Sequence, residues 1–265
     1  MLSKPRVQYT IAAFYGQKPQ EFVSFLDGIR EIISNHPLGR HFQPYANDQV
    51  HTTLMGLERL MDRNHSINLN RYEATGEACE MRLEGCVDLF ESFLDGVRIR
   101  LGGFNPAYDQ FLSWEARPYQ RSFGIHASTG KVVLNGWPVL EGTGSVSFTD
   151  GVWQLRKNLH DKHNLRHKYH QYEDNDVFMV VGDLPNPHHQ DTEDHQVFNL
   201  QRKELEDDVR TFLSTSRPYY LKLSIEDIAV IGYQDPVLPP HETQVYPLNR
   251  LRTNLPQMRS LFSEK

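Results

Sequence analysis

Two apolar segments of similar form, one in each half of the chain, limit the fold most strongly. Residues 49–57 and 177–184 each have the length and apolar content of a β-strand, and Gly56 and Gly182 stand at corresponding positions within them. Apolar residues at helical spacing predict helices in the adjoining sequence, over 19–34, 152–159 and 205–213. This order of elements predicts an α+β fold built from a duplicated unit.

The rest of the chain adds further strands and several irregular segments. Strands are predicted over 7–15, 97–101, 219–225 and 228–233, and a hairpin or one bulged strand over 123–137. A loop or a short helix is expected at 60–78, an irregular segment at 105–120 and a mobile surface loop at 185–198. We expect a single domain over 1–265, whose lobes mix residues 1–95 and 96–265.

Composition excludes several classes of protein. The 38% hydrophobic and 23% charged content is typical of a soluble globular chain, and 265 residues suffice for a full core. No apolar run is long enough to cross a bilayer and the amino terminus lacks a signal-peptide pattern, so we expect a cytoplasmic protein without a membrane partner. The net charge of −6 argues against a large nucleic-acid surface but allows a small phosphorylated ligand. The sequence does not indicate the oligomeric state.

His51 and Thr53 are the first candidate site residues. Residues two apart on a strand project from the same face, so these side chains are predicted to lie side by side. An imidazole that titrates near neutral pH, next to a hydroxyl that can donate to an oxyanion, suits phosphodiester chemistry. The alternative is that both residues form the polar face of a half-buried strand.

Four histidines between positions 160 and 170 form the second candidate. In an extended conformation, His167 and Tyr169 would share a face in the same relation as His51 and Thr53. In a helical conformation, His163, His167 and His170 would share a face that could bind a metal ion. A solvated helix end followed by a loop is the third interpretation.

Two weaker patterns complete the set of candidates. His126 and Ser128 repeat the His-x-Ser/Thr form, but in a predicted hairpin, where a structural role is expected. Four arginines are distributed so that they could meet a phosphate, namely Arg98, Arg100, Arg117 and Arg121.

The chain resembles the 2H phosphoesterase superfamily, also called the RNA-ligase-like or cyclic phosphodiesterase fold. The resemblance extends over nearly the whole chain and is most specific at 51–57, at the tail 225–233, and at the Leu238-Pro239 and 246–248 segments that follow it. Members of that family are bilobal, and each of two pseudo-symmetric halves supplies one His-x-Ser/Thr motif to a central groove. The resemblance implies two antiparallel sheets around such a groove, with helices outside.

In that family one histidine is the general base, the other is the general acid, and two Ser/Thr residues hold the phosphoryl oxygens without a metal ion or other cofactor. Splitting acid and base between two imidazoles lets each hold the protonation state it needs at one pH. The resemblance implies that His51 is one of these histidines and Thr53 one of the anchors.

The second motif departs from the family pattern. Aligning Gly182 with Gly56 puts Val177 and Met179 where the second histidine and hydroxyl would stand. His167 or His170 is then the predicted catalytic partner. Tyr169 and Arg121 are the predicted substrate-binding residues.

The predicted function is metal-independent hydrolysis of a cyclic or 2′-linked phosphodiester in a nucleotide or short RNA. Two alternatives stay open: a non-catalytic nucleotide- or RNA-binding protein on the same scaffold, and a metal-dependent hydrolase that uses the histidines between 160 and 170. The sequence does not indicate the base, ring size or linkage of a substrate.

Overall fold

A computed structural model describes residues 2–63, 65–141, 146–184 and 192–262. Its helices are α1 (Gln20–Asn35), α2 (Leu69–Thr75), α3 (Cys86–Leu94), α4 (Pro118–Arg121), α5 (Gly151–His163), α6 (Thr192–Thr215), α7 (Leu248–Arg252) and α8 (Leu255–Phe262). Its strands are β1 (Gln8–Ala13), β2 (Gln43–Pro44), β3 (Thr52–Gly56), β4 (Arg59–Asp62), β5 (His65–Asn68), β6 (Val97–Leu101), β7 (Phe123–Ile125), β8 (Lys131–Glu141), β9 (Val146–Phe148), β10 (Val177–Asp183), β11 (Tyr219–Lys222), β12 (Ile228–Tyr233) and β13 (Gln244–Pro247). The protein is therefore of the α+β class, as predicted.

The strands form two main antiparallel sheets. The first sheet has the order β13-β12-β1-β3, so the first strand of the chain is central and the His51 segment leads into an edge strand. The second sheet has the order β11-β6-β8-β10-β2, with β7 and β9 also paired to the long strand β8. A separate hairpin joins β4 and β5. The prediction of antiparallel sheets is confirmed.

One face of each sheet packs against helices in a shared core. On α1, the apolar side chains recur at positions 22, 26, 29 and 33, which places them along one stripe of a 3.6-residue helix. All four are at most 1% exposed, and burying a side chain of this type contributes about 2 kcal/mol to folding. The strands contribute fully buried side chains to the same core, among them Ile11, Ile99 and Met179.

The opposite face of the first sheet has a smaller apolar cluster. Ala12 lies directly opposite Ala229 on β12 and Thr53 on β3, so these three side chains share a face. Ala12 and Ala229 pack with Ile231, Tyr233 and Leu238, and Tyr15 lies against this cluster. Thr53 therefore projects from the face that carries the small cluster, away from the helical core.

The two sheets meet where β3 approaches β10. The short strand β2 pairs with the end of β10, with Pro44 opposite Gly182, and β3 packs beside β10 farther along the chain. A Cβ atom on Gly182 would lie 2.6 Å from the Gln43 carbonyl oxygen, closer than Cβ atoms occur. The glycine that the sequence singles out is thus required by the close approach of β2.

Several local predictions differ from the structure. The segment 60–78, predicted as a loop or a short helix, contains the β4–β5 hairpin followed by α2, which Asn68 caps by accepting a bond from the Arg71 amide at 3.0 Å. Residues 185–191 of the predicted mobile loop lie outside the described residues, whereas 192–198 belong to α6. Of the two interpretations of 123–137, the hairpin is correct, because β7 pairs antiparallel with β8. None of the helices in the described ranges has the length and apolar character needed to cross a membrane.

Candidate functional site

His51 and Thr53 stand at the start of edge strand β3. Both side chains are half-buried, and Thr52 between them is fully buried. Side chains alternate along a strand, so the Thr52 side chain points into the protein while those of His51 and Thr53 project from the other face. Thr53 shares its face with Ala12, and the alternation puts His51 on the same face.

The immediate surroundings of His51 fix its tautomer. Its Nδ1 atom lies 2.7 Å from the carbonyl oxygen of Gln49, and because a carbonyl oxygen only accepts, Nδ1 carries the proton. Burial lowers the pKa of His51 below its usual value, the bond to Gln49 opposes this, and the nearby charge of Lys18 lowers it further. His51 is therefore neutral at pH 7, with Nε2 unprotonated and able to accept a proton.

Lys18 is a cation whose charge lowers the pKa of His51. Its Nζ atom donates to the Gly16 carbonyl oxygen at 2.6 Å, and Gly16 itself has a φ of 97°, which favours glycine. Burial lowers the pKa of Lys18 to about 8, although Asp48 acts to raise it. The ammonium is consequently charged at pH 7 but can give up its proton slightly above it.

Tyr15 completes the wall around His51. Its ring meets the His51 ring edge to face at 5.7 Å between centroids. Its hydroxyl lies 2.7 Å from Thr243 Oγ1 and donates to the Leu238 carbonyl oxygen at 3.0 Å. Sequence analysis missed Tyr15 and Lys18, and the only signal was their position directly after the first buried strand.

A buried arginine supports β3 from its open edge. The pairing of β3 with β1 shifts between Ile11 and Ala12, so that Leu54 is an extra residue and the strand bulges. Arg156 of α5 donates to the Thr53 carbonyl oxygen at 3.2 Å and to the Leu54 carbonyl oxygen at 3.1 Å. The bulge thus exposes two successive carbonyl groups that one guanidinium group binds.

The same guanidinium group also binds the segment that enters β10. Arg156 Nη1 donates to the carbonyl oxygens of Asp174 and Asp176 at 2.8 and 3.1 Å, and it lies 3.0 Å from the Asp174 carboxylate. Arg156 and Asp174 are both 0% exposed in their side chains. Arg156 therefore joins the two sheets where their strands do not pair directly.

His167 lies inside this network. It is 2% exposed, and its Nε2 atom is 3.1 Å from Asp174 Oδ2, although neither ring nitrogen makes a well-aligned hydrogen bond within the described chain. Burial, with the charge of Arg156, lowers the pKa of His167 to about 4. Burial would raise the pKa of Asp174, but Arg156 and His167 hold it at about 2. A ring this deeply buried has no open face for a substrate.

His170 has different surroundings. Its ring stacks on His160 at 4.3 Å between centroids and lies 5.0 Å from the ring of Trp153. Burial lowers its pKa to about 4, and the neighbouring His160 and Arg166 contribute. The structure therefore places His167 and His170 in two separate environments, neither of which contains His51.

The helical interpretation of the histidine cluster is wrong. Helix α5 ends at His163, and Asn164 takes the left-handed conformation with a φ of 58°, as is common after a helix. Residues 164–167 have no regular secondary structure, 168–169 form a turn and a short 3₁₀ helix begins at His170, so the three histidines at 163, 167 and 170 share no helix face. Within the described residues, no group of three or more His, Cys, Asp or Glu side chains is arranged to hold a metal ion.

At the positions aligned with His51 and Thr53, strand β10 supplies no proton-transfer residue. Val177 and Met179, the positions aligned with His51 and Thr53, are fully buried in the shared core. The half-buried side chains of β10 are Phe178 and Val180, which lie opposite Asn135 and Val133 of β8, and Asp183 at the end of the strand, which pairs with Lys131. From Val177 to Val180, strand β10 is therefore apolar on both faces.

Arg121 and Tyr169 line a common cavity of about 330 Å³. The Arg121 guanidinium group lies over the Trp114 ring at 4.2 Å and binds the buried Asp176 carboxylate at 2.6 Å. The Tyr169 ring is 4.9 Å from the Trp114 ring. The two predicted substrate-binding residues are thus brought together, with Trp114 as a shared neighbour that sequence analysis did not identify.

Two of the other arginine candidates, Arg100 and Arg117, bind the main chain. Arg100 donates to the Gly103 carbonyl oxygen at 2.6 Å and lies over the Phe104 ring at 4.4 Å. Arg117 donates to the Pro106 carbonyl oxygen at 2.9 Å. Both arginines therefore stabilise the irregular 102–117 segment.

The buried His167 predicts a pH dependence of stability. Between the unfolded pKa of about 6.5 and the folded pKa of about 4, the unfolded chain binds a proton that the folded chain does not, so stability falls as the pH is lowered through this range. The loss should be about 3 kcal/mol at pH 4 relative to pH 7. Urea unfolding at several pH values measures it: H167Q should reduce the slope over this range, to which His170 also contributes, whereas H241Q, at an exposed histidine, should reproduce the wild-type slope. Identical slopes in wild type and H167Q would contradict the prediction.

Comparison with known proteins gives no independent indication of function. No protein-family model matches the chain, and no curated protein or solved structure shows significant similarity to it. The functional interpretation therefore depends on the chemistry of the residues around His51 and of the cavity beside Trp114.

Proposed function

We propose that the protein is a phosphoesterase that hydrolyses a cyclic or 2′-linked phosphodiester of a nucleotide or short RNA by side-chain acid–base chemistry. The observation that supports this most is the grouping around His51. A neutral imidazole with an unprotonated Nε2, a neighbouring hydroxyl and a charged ammonium group supply a base, a hydrogen-bond donor and an acid.

Each residue then has a role in the reaction. His51 Nε2 accepts the proton of the attacking water as its oxygen bonds to phosphorus. Thr53 donates a hydrogen bond to a phosphoryl oxygen, and the Lys18 ammonium group binds the developing negative charge. As the ester bond breaks, Lys18 gives its proton to the leaving oxygen. Lys18 thereby takes the role first predicted for His167 or His170, which lie in other environments.

One observation favours a second function, namely binding without turnover. Between Val177 and Val181 the half-buried side chains of β10 are Phe178 and Val180, so the position aligned with the second motif holds apolar side chains. A nucleotide-binding protein on this scaffold needs no second proton-transfer residue. It would show ligand-dependent thermal stabilisation without product formation.

A chromatographic product assay distinguishes the two functions. The purified protein is incubated, without added metal, with 2′,3′-cyclic nucleotides, cyclic dinucleotides and short 2′-5′-linked oligonucleotides. Formation of a linear or shortened product supports the phosphoesterase. Thermal stabilisation by the same compounds with no product, from protein shown to be folded, would replace it with the binding function.

The pKa values at this site predict a bell-shaped pH profile. kcat/KM should rise as His51 loses its proton below pH 6.5 and should fall as Lys18 loses its proton near pH 8. In K18M the rate at pH 7 should drop and the alkaline decline near pH 8 should disappear. K203M, at an exposed lysine of α6, serves as the control and should keep both limbs. An unchanged alkaline limb in K18M would remove Lys18 from the mechanism.

A further inference from the structure

The cavity beside Trp114 has rigid aromatic walls. Trp114 stacks on Tyr172 at 4.5 Å with 21° between the ring planes, and its Nε1 atom donates to Asp174 Oδ1 at 3.2 Å. The Tyr169 ring lies 4.9 Å from Trp114 and 6.2 Å from Phe178, and all three residues line the cavity. These rings are held in place without a ligand, which lowers the entropic cost of binding a flat ring.

The charges at this cavity are already neutralised. Arg121 is paired with Asp176 at 2.6 Å, and Arg210 is paired with Glu206 at 3.3 Å. Glu206 also accepts a bond from the Ile125 amide at 2.9 Å, so its carboxylate is engaged. The cavity therefore suits an uncharged aromatic group better than a phosphate.

One polar group of the wall lacks a partner. Asn135 is 7% exposed, and its Nδ2 atom donates to the Arg121 carbonyl oxygen at 2.6 Å, which fixes the orientation of the amide. Its Oδ1 atom is buried and accepts no hydrogen bond within the described chain. A buried acceptor without a donor is unfavourable, and a ligand N–H group would satisfy it.

The cavity is connected to the His51 strand by direct contacts. Trp114 binds Asp174, Asp174 binds Arg156, and Arg156 binds the Thr53 carbonyl oxygen. Three contacts therefore link the wall of the cavity to β3 through the buried side chains of Asp174 and Arg156. The volume of about 330 Å³ is at the small end for ligand sites and fits one base rather than a longer chain.

We infer that the cavity lined by Trp114, Asn135, Tyr169 and Phe178 binds an uncharged nucleobase through ring stacking and through an N–H group donated to Asn135 Oδ1. The inference deepens the proposed function, because it assigns the base of the substrate to this cavity and the phosphodiester to Lys18 and Thr53. Binding of the base itself requires no turnover.

Calorimetric titration with nucleosides that lack phosphate tests the inference. Adenosine, guanosine, cytidine and uridine each present ring or exocyclic N–H groups, whereas purine riboside has no N–H on its base. At least one of the four should bind about tenfold more tightly than purine riboside, and N135L should abolish that advantage. Y169A should weaken the tightest nucleoside about tenfold or more, since an aromatic contact with a base has an effect of this size.

Control variants distinguish loss of the binding site from unfolding of the protein. Y72L changes a half-buried tyrosine on α2, outside this cavity, and should bind like wild type. Tyr169 is half-buried, so Y169A tests the cavity even if N135L proves unstable in thermal unfolding. Absence of nucleoside binding, equal affinity for purine riboside, or an unchanged Kd in Y169A would each overturn the inference.

The same titration on H51A distinguishes this inference from the proposed function. H51A should bind the nucleoside with wild-type affinity, because His51 is not among the residues that line the cavity. Nucleoside binding without any phosphodiester cleavage would support the cavity and contradict the phosphoesterase. Cleavage that depends on His51, without nucleoside binding, would support the phosphoesterase and contradict the base-binding cavity.

Discussion

The H51A variant should lose about 10²- to 10⁴-fold in kcat/KM on any phosphodiester that the wild-type protein cleaves, the range typical for loss of a general base. The expected loss is large because the unprotonated Nε2 of His51 is the base of the proposed reaction, and water would have to replace it. The fold should persist, since His51 is half-buried and its bond to Gln49 comes from its own segment. The product assay at pH 7, with thermal unfolding in parallel, measures both effects.

A matched histidine variant makes this result specific. His241 is an exposed histidine with 79% of its side chain accessible, and H241A should keep the full rate. Full activity in H51A would eliminate His51 as the base and the proposed mechanism with it. Equal losses in H51A and H241A would indicate a general effect of histidine removal rather than catalysis.

The R156M variant should lower the free energy of unfolding by about 3–5 kcal/mol, the cost typical of leaving one partner of a buried ion pair alone. Asp174 would keep a charge with 0% exposure and lose its main cation, and the carbonyl groups of Thr53 and Leu54 would lose their donor. Urea unfolding monitored by circular dichroism measures the change. The double variant R156M/D174N should recover part of the loss, because no unpaired charge then remains.

The neighbouring lysine provides the control for charge removal on the same helix. Lys157 pairs with Asp161, but the two side chains are 49% and 46% exposed, and a surface pair of this kind contributes about 0–1 kcal/mol. K157M should therefore change the free energy of unfolding by less than about 1 kcal/mol. If R156M were no more destabilising than K157M, Arg156 would not be the link between the sheets that the contacts indicate.

The elements of the fold were predictable where the pattern is local. Helix α1 follows from apolar residues at helical spacing, and β6 follows from strict alternation over 97–101, which the structure reproduces. The sequence does not predict a helix over 192–198, because its polar composition is compatible with either a loop or a helix. The segment is helical because it continues into the rest of α6, whose later apolar residues pack in the core. For such a segment, tertiary packing contributes more to the choice of secondary structure than local helix propensity does.

The candidate site also has features that local spacing predicts and features that depend on tertiary contacts. The sequence by itself determined that His51 and Thr53 share a face, because a two-residue repeat in an extended chain fixes that relation without reference to other segments. Only the tertiary structure placed Lys18 beside His51, since this requires β1 to pair with β3, and only it buried His167 against Arg156 and Asp174. The cavity at Trp114 likewise combines residues from six separate segments, around positions 114, 120–126, 133–135, 169, 178 and 206–210. Spacing along a chain specifies side-chain direction within one element, whereas burial, charge pairing and cavities arise from contacts between elements that the spacing does not record.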